Sequence, residues 1–194
     1  NSFEGENGIG FSNYYLVTHN KEFLIAIGNS IKVSLITALI TTVSAFIIAY
    51  GVNCTKIFRP IKNMIKIGIS IPMLLPTITY GFAIIYSFGK QGLLTKLFGR
   101  ELFQIYGFNG LLTGYVIYTL PSAFLLINNS FEYIDKKFIV VSKLMGDNVL
   151  RSFINTIFRP LIGTLGGAFV LSFILSFTDF GIPASVGGTY SVIS

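Results

Sequence analysis

Apolar residues along the chain gather into four charge-free runs: Val33 to Thr55, Ile67 to Gly89, Leu102 to Ser130 and Leu161 to Thr178. A bilayer core takes roughly 20 apolar residues per helix, with a range of about 17 to 25, so the pattern predicts about four transmembrane helices. Between the last two runs lies Phe131 to Pro160, too charged to cross a bilayer yet too regular for a slack loop. Val149, Leu150, Phe153, Ile154, Ile157 and Phe158 recur at helical spacing, with Arg151, Asn155 and Arg159 on the opposite side. Gly146 can take the left-handed conformation that ends a helix, and Asp147 or Asn148 can cap the next one. The pattern therefore predicts two short surface helices hinged at Gly146, a docking device held between spans.

Helix breakers mark the spans. Pro72 and Pro76 lie four apart and would free backbone carbonyls on one side of the second span. Thr77 follows them, and Pro121 is expected to interrupt the third. Gly163, Gly166, Gly167 and Ala168 would let a neighbouring helix approach the fourth closely, with Gly163 and Gly167 as a small-xxx-small pair. Proline and glycine are common in membrane helices in any case; together these residues suggest kinked helices that rock around a pathway.

Only 11% of residues are charged, against about 25% in a soluble domain, and mean hydropathy is +0.71. A soluble chain of this length has too little interior for so much apolar surface. Nine of the basic residues fall in the linker after the first span and in the Phe131 to Pro160 segment, and five on the other side, which places that segment in the cytoplasm. The net charge of +6 is thus mostly a topology signal, and the basic residues straddle spans instead of forming a nucleic-acid-binding face. The lone Cys54 and lone His19 form no disulfide or metal motif, and no GxxxxGK[ST] loop occurs. No acidic residue lies inside a run. Asp179 stands at the outer end of the fourth, so an ion-coupled transporter would lack an evident coupling group. The chain starts without Met or a signal-peptide layout, and reads as a fragment or processed piece of a longer permease-like chain.

The order of spans, followed by a segment with a central glycine and a later proline, resembles the permease subunits of binding-protein-dependent ABC importers. The family signature of Glu-Ala-Ala, three residues and Gly, then Ile-x-Leu-Pro, corresponds to Val140-Val141-Ser142, Lys143-Leu144-Met145, Gly146 and Ile157-Phe158-Arg159-Pro160. The glycine and proline are present; the Glu is replaced by Val140, and the glycine-to-proline spacing is one residue long. Asn29 to Ser34 resembles the opening of a core span, GKQGLLTKLFG (Gly89 to Gly99) the outer loop, and FTDFGIPASVGG (Phe177 to Gly188) the ferric-iron and 2-aminoethylphosphonate branch.

The resemblance implies an all-α polytopic membrane protein with the ABC importer permease (MetI-like) helical bundle. Residues 1–24 would be an extracytoplasmic N-terminal segment, 25–180 the transmembrane permease domain with a coupling segment at 131–160, and 181–194 an extracytoplasmic loop. It implies a prokaryotic plasma (inner) membrane location among lipid. The implied partners are ABC ATPase subunits, a second permease half and an extracytoplasmic solute-binding protein. The chain itself would hold no cofactor and be no enzyme, ATP and Mg belonging to the ATPase. Gly146 would be the hinge, with Ser142, Lys143, Asp147, Asn148 and Arg151 at the ATPase contact. Leu144, Phe153 and Ile157 would pack the segment against the spans or the ATPase groove, and Phe153 and Pro160 count among the coupling residues. Pro72, Pro76, Thr77, Pro121 and Asp179 are the pathway and kink candidates. The implied cargo is a small solute such as ferric iron or a phosphonate, with polyamine, thiamine and sulfate relatives open. A secondary transporter or channel subunit, or a non-transporting scaffold, are the alternatives.

Overall fold

The computed structural model describes residues 4–5, 8–9, 20–101, 104–135 and 137–193, with the side chains of 4, 5, 8, 9, 139, 140 and 143 outside the description. Among these residues the only strand pairing joins β1 (Glu4–Gly5) to β2 (Gly8–Ile9), antiparallel. The remaining regular structure is helical, and the class is all-α as expected.

Helix α1 (Lys21–Cys54) begins well before the apolar run, because Asn20 caps it by accepting the Glu22 N–H at 2.9 Å. Its buried face is a stripe of small residues recurring every three or four positions: Ser30, Ser34, Ala38, Thr41, Ala45 and Ala49. Small side chains let backbones approach closely in a membrane, and α1 packs mainly on α5 (Phe108–Ser130) and α8 (Arg159–Phe177).

The second run is a broken span, not one kinked helix. Helix α2 (Arg59–Ser70) passes into a 3-10 turn at Ile71–Leu74 and stops, and α3 (Thr77–Phe88) and α4 (Leu93–Phe98) follow after a bend of 110°. Pro76 forces the residue before it out of the helical region, and Leu75 accordingly has ψ 142°. Pro72 and Pro76 therefore do not line one face of a continuing helix. The third run starts at Phe108, and Pro121 does not interrupt it: the ring is fully buried inside α5, whose helix continues to Ser130.

The segment after α5 also departs from expectation. A 3-10 turn at Phe131–Tyr133 leads to α6 (Lys137–Leu144), the turn at Gly146, and then α7 (Val149–Phe153). Helix α7 is not a free surface helix. It runs through a π-helical turn at Ile154–Phe158 into α8, giving a continuous rod from Val149 to Phe177. Pro160 has no N–H for the preceding turn and its ring would press on that carbonyl. The wider π turn just before it absorbs the conflict, so the helix goes on. The last segment is not a loop throughout: α9 (Gly181–Val186) packs beside α3 and α5.

Contacts define two ends of the bundle. At one, Asn29 Nδ2 donates to Ser191 O at 2.9 Å and Gly107 N–H to Val186 O at 2.9 Å. At the other, Asn53 Nδ2 donates to Asn128 Oδ1 at 3.0 Å and Lys62 Nζ to Thr55 O at 3.0 Å. Ile84 of α3 shares a cluster with Val33, Leu111 and Val186 at the first end. The bent pair thus carries the chain from the second end back to the first; three helices are long and apolar enough to cross a membrane, and four spans result if the bent pair counts as one.

Candidate docking turn and broken-helix centre

The docking candidate is built around Gly146, which adopts φ +78°. This left-handed residue ends α6 and lets the Asp147 N–H reach back to Ser142 O at 3.1 Å, the six-to-one bond of a helix-ending glycine motif. The Ser142 hydroxyl then donates to Asp147 Oδ2 at 2.8 Å, so one residue pair closes the turn through both backbone and side chains. Asp147 Oδ1 also faces Arg151 Nε at 3.8 Å. Asn148 stands at the cap position of α7, with no side-chain cap bond. A methyl group at Gly146 would meet nothing within 4 Å, so the requirement for glycine is one of backbone conformation alone.

The rod below the turn is anchored by aromatics. Phe153 meets Tyr50 edge-on at 5.6 Å and Phe46 at 6.2 Å, while Phe46 also contacts Phe131 and Phe158. Ile157 is buried in the same cluster with Leu161 and Phe124. Ser142, expected at a partner contact, is buried in this chain and its hydroxyl is engaged by Asp147. Leu144 does not pack on the spans: it is 82% exposed, with Met145 at 78% and Val149 at 83%. Arg151 is exposed and Asp147 partly buried. The side chain of Lys143 lies outside the described residues. A cleft of about 450 Å³ opens between α6 and the π turn, lined by Tyr133, Phe138, Val141, Met145, Asn155 and Pro160 among others. The arrangement presents an apolar ledge on a braced turn, rigidly joined to a span.

The pathway candidates converge elsewhere, where two helices break. Asp179 lies in the three-residue gap between α8 and α9, is buried, and accepts the Ile182 N–H at 2.9 Å through Oδ2. Across from it, a Cβ on Gly181 would sit 2.5 Å from the Ile78 nitrogen and 3.0 Å from the Thr77 carbonyl carbon. A Cβ on Gly81 would collide with the Ser185 side chain. The start of α3, just after Pro76, and the start of α9, just after Asp179, therefore touch backbone to backbone. Tyr80 donates its hydroxyl to Pro72 O, which also accepts the Leu75 N–H at 3.0 Å, so the carbonyl at the break carries two bonds. Broken helices in a membrane occur where protein or a cavity satisfies the freed groups. The structure brings Pro72, Pro76, Thr77 and Asp179 into one region; Pro121 belongs to the interior of α5.

Two features escaped the sequence reading. Gly163 and Gly166 meet nothing within 4 Å, while a Cβ on Gly167 would stand 3.8 Å from Leu126 and Ala168 is fully buried; a tighter approach, unforeseen, is made by Gly110 and Gly114, which receive Val186 and Ile182 of α9. The hydroxyls of the α1 stripe also matter: Thr41 and Thr119 share a buried hydrogen bond at 2.9 Å. Both signals were present, as a Gly-xxx-Gly pair and as Ser, Thr and Ala at helical spacing.

Comparison with known proteins agrees with this geometry. Residues 41–193 match the family described as binding-protein-dependent transport system inner membrane component. The ferric transport system permease protein FbpB of Actinobacillus pleuropneumoniae is 27% identical over 173 residues, covering 87% of this chain and 25% of that protein. A probable sulfate transport system permease protein cysT of Helicosporidium sp. is 28% identical over 160 residues, covering 82% of this chain and 58% of the relative. A spermidine/putrescine transport system permease protein PotC homolog of Mycoplasma genitalium is 24% identical over 180 residues, covering 93% and 60%. The chain thus spans about a quarter of the length of the ferric relative and about three fifths of the others.

Proposed function

The chain belongs to the family of binding-protein-dependent transport system inner membrane components, and from that premise we propose that it is the permease part of an ATP-driven ABC importer. Residues 131–160 face the cytoplasm in this reading and dock the ATPase subunits, which hold ATP and Mg and carry out the hydrolysis. A second permease half completes the pathway, and an extracytoplasmic solute-binding protein delivers cargo at the end bearing Gly107 and Ser191.

One observation carries the reading. The Gly146 turn places Met145, Leu144 and Val149 in the open while Phe153 and Ile157 tie the same segment to α1 and α5. Exposed apolar residues on a braced ledge supply anchors for a partner groove. The rigid rod from Val149 to Phe177 then transmits any displacement of the ledge into the membrane. ATP acts on a two-state bundle through a partner that alone touches nucleotide. For cargo we favour ferric iron, on the resemblance at Phe177 to Gly188 and the name of the ferric relatives; a phosphonate is the second choice.

The test is the full permease reconstituted with its ATPase and binding protein. Replacing Gly146 with Val should leave insertion intact and uncouple ATP hydrolysis from uptake; normal coupled uptake would overturn the hinge role. Thermal-shift screening of the binding protein against ferric iron, sulfate, a polyamine and 2-aminoethylphosphonate identifies the cargo.

A further inference from the structure

Helix α2 is the one span segment of its length that buries nothing: none of its 12 residues is buried. Its polar residues are nonetheless ordered. At about 100° per residue, Lys62, Lys66, Arg59, Ser70 and Asn63 fall within an arc of about 100°. The rest of the circumference is apolar; Ile65 and Ile69 are half-buried, Ile69 against the core, while Met64 and Ile67 on the outer side are both more than half exposed. The helix contains no acid. Among the described residues the only salt bridge is that between Arg151 and Asp147, so Arg59, Lys62 and Lys66 make no ion pair with a described carboxylate. Lys62 spends one of its donors on Thr55 O, which fastens α2 to the end of α1.

Beside this arc runs a groove of about 430 Å³, lined by Lys66, Ile67, Ser70, Ile71, Met73 and Leu74. Its chemistry changes along its length. Lys66 and the Ser70 hydroxyl stand at one end; Ile71, Met73 and Leu74 form the other, where the span breaks toward Pro76. Leu74 is 84% exposed there. A cation followed by an apolar trough, about one helical turn further along the chain, has the order of a phospholipid: phosphate first, acyl chain after.

We propose that α2 is the seat of an anionic glycerophospholipid, whose phosphate is held by Lys66 and Arg59 and whose acyl chain lies against Ile71, Met73 and Leu74. The uncompensated positive arc selects the occupant. A zwitterionic lipid brings its own cation to the same place, and an anionic lipid does not. The bound lipid covers the apolar arm of the broken span and favours the bent geometry that brings Thr77 to Gly181.

The experiment is native mass spectrometry of the full permease with phosphatidylglycerol or phosphatidylcholine of identical acyl chains, at graded salt. Phosphatidylglycerol should be retained preferentially, and the preference should fall as salt rises, which needs no variant. In R59Q and K66Q retention should drop about fivefold for each cation removed, while K90Q and K96Q, at the other arm, leave it unchanged. Leu74→Ala and Met73→Ala should weaken both lipids. Equal retention of the two lipids by the wild type, or undiminished phosphatidylglycerol binding in the double variant R59Q/K66Q, overturns the proposal. Displacement of the lipid by inorganic phosphate alone would also overturn it, reducing the site to an anion site. So would disulfide formation between two Met64→Cys copies in native membranes, since a second copy would then cover this face.

Discussion

Replacing Gly81 with Ala tests the packing on which the broken-helix centre depends. The new methyl would overlap the Ser185 Oγ and Cβ, whereas the nearest Ser185 backbone atom, Cα, lies at 3.8 Å, an ordinary contact. The conflict is therefore with one side chain only. Overpacking of this kind costs about 1–3 kcal/mol, or a fall in melting temperature of about 2–12 °C for a chain of this size. Ser185→Gly removes the opposing side chain and should by itself cost about 0.5–1 kcal/mol, as glycine in a helix does. The double variant Gly81→Ala/Ser185→Gly should then recover most of the loss, giving a coupling of about 1–2 kcal/mol. Gly181→Ala should behave differently, because its methyl meets the Ile78 nitrogen at 2.5 Å and the Thr77 carbonyl carbon at 3.0 Å. Backbone cannot be trimmed, so Thr77→Gly should not rescue it. Thermal unfolding in detergent, followed by size-exclusion of the surviving fraction, measures all five variants, the Gly181→Ala/Thr77→Gly double included. The reasoning fails if Gly81→Ala melts with the wild type, or if Thr77→Gly restores Gly181→Ala.

Further variants probe the docking turn and the bundle. Ser142→Ala should loosen the Gly146 turn by about 0.5–1.5 kcal/mol, read as faster hydrogen exchange at Asp147, since one partly buried side-chain bond is lost. Phe153→Ala should destabilise the chain by up to about 3 kcal/mol by emptying the aromatic contact with Phe46 and Tyr50, visible as a lower melting temperature. Gly146→Asn should couple better than Gly146→Val, because Asn tolerates the left-handed region and a β-branched residue does not; uptake per ATP hydrolysed ranks them. Thr41→Val should lower stability by about 1–3 kcal/mol by leaving the Thr119 hydroxyl with only its bond to the Tyr115 carbonyl.

The legible parts of the chain were those set by local chemistry. Gly146 announced its turn because a glycine before Asp and Asn can both end one helix and start another. The three long apolar helices followed from charge-free length, whereas the 110° break in the second run did not. What stayed hidden depends on partners distant in sequence. Helix α9 contains Gly181 and Pro183 and has poor intrinsic propensity; it forms because Asp179 accepts the Ile182 N–H and Gly81, Gly110 and Gly114 make room for it. The π turn before Pro160 was equally hidden, since proline alone permits a stop, a kink or a bulge. Burial of Ile157 and the packing of a half-buried Phe153 against α1 and α5 decide for continuation. Pro121 shows the same point, as surrounding helices hold its turn in place.

The central claim is that the ledge at Gly146 docks the ATPase. Its most direct test is cysteine cross-linking in the assembled transporter, with Cys54 replaced by Ser and a cysteine at Met145, which is 78% exposed. A cross-link to the ATPase whose yield changes with ATP, and which stops uptake when formed, is the predicted result. No cross-link at residue 145, with one formed instead from a cysteine at Tyr86 on the opposite arm of the broken span, would contradict it.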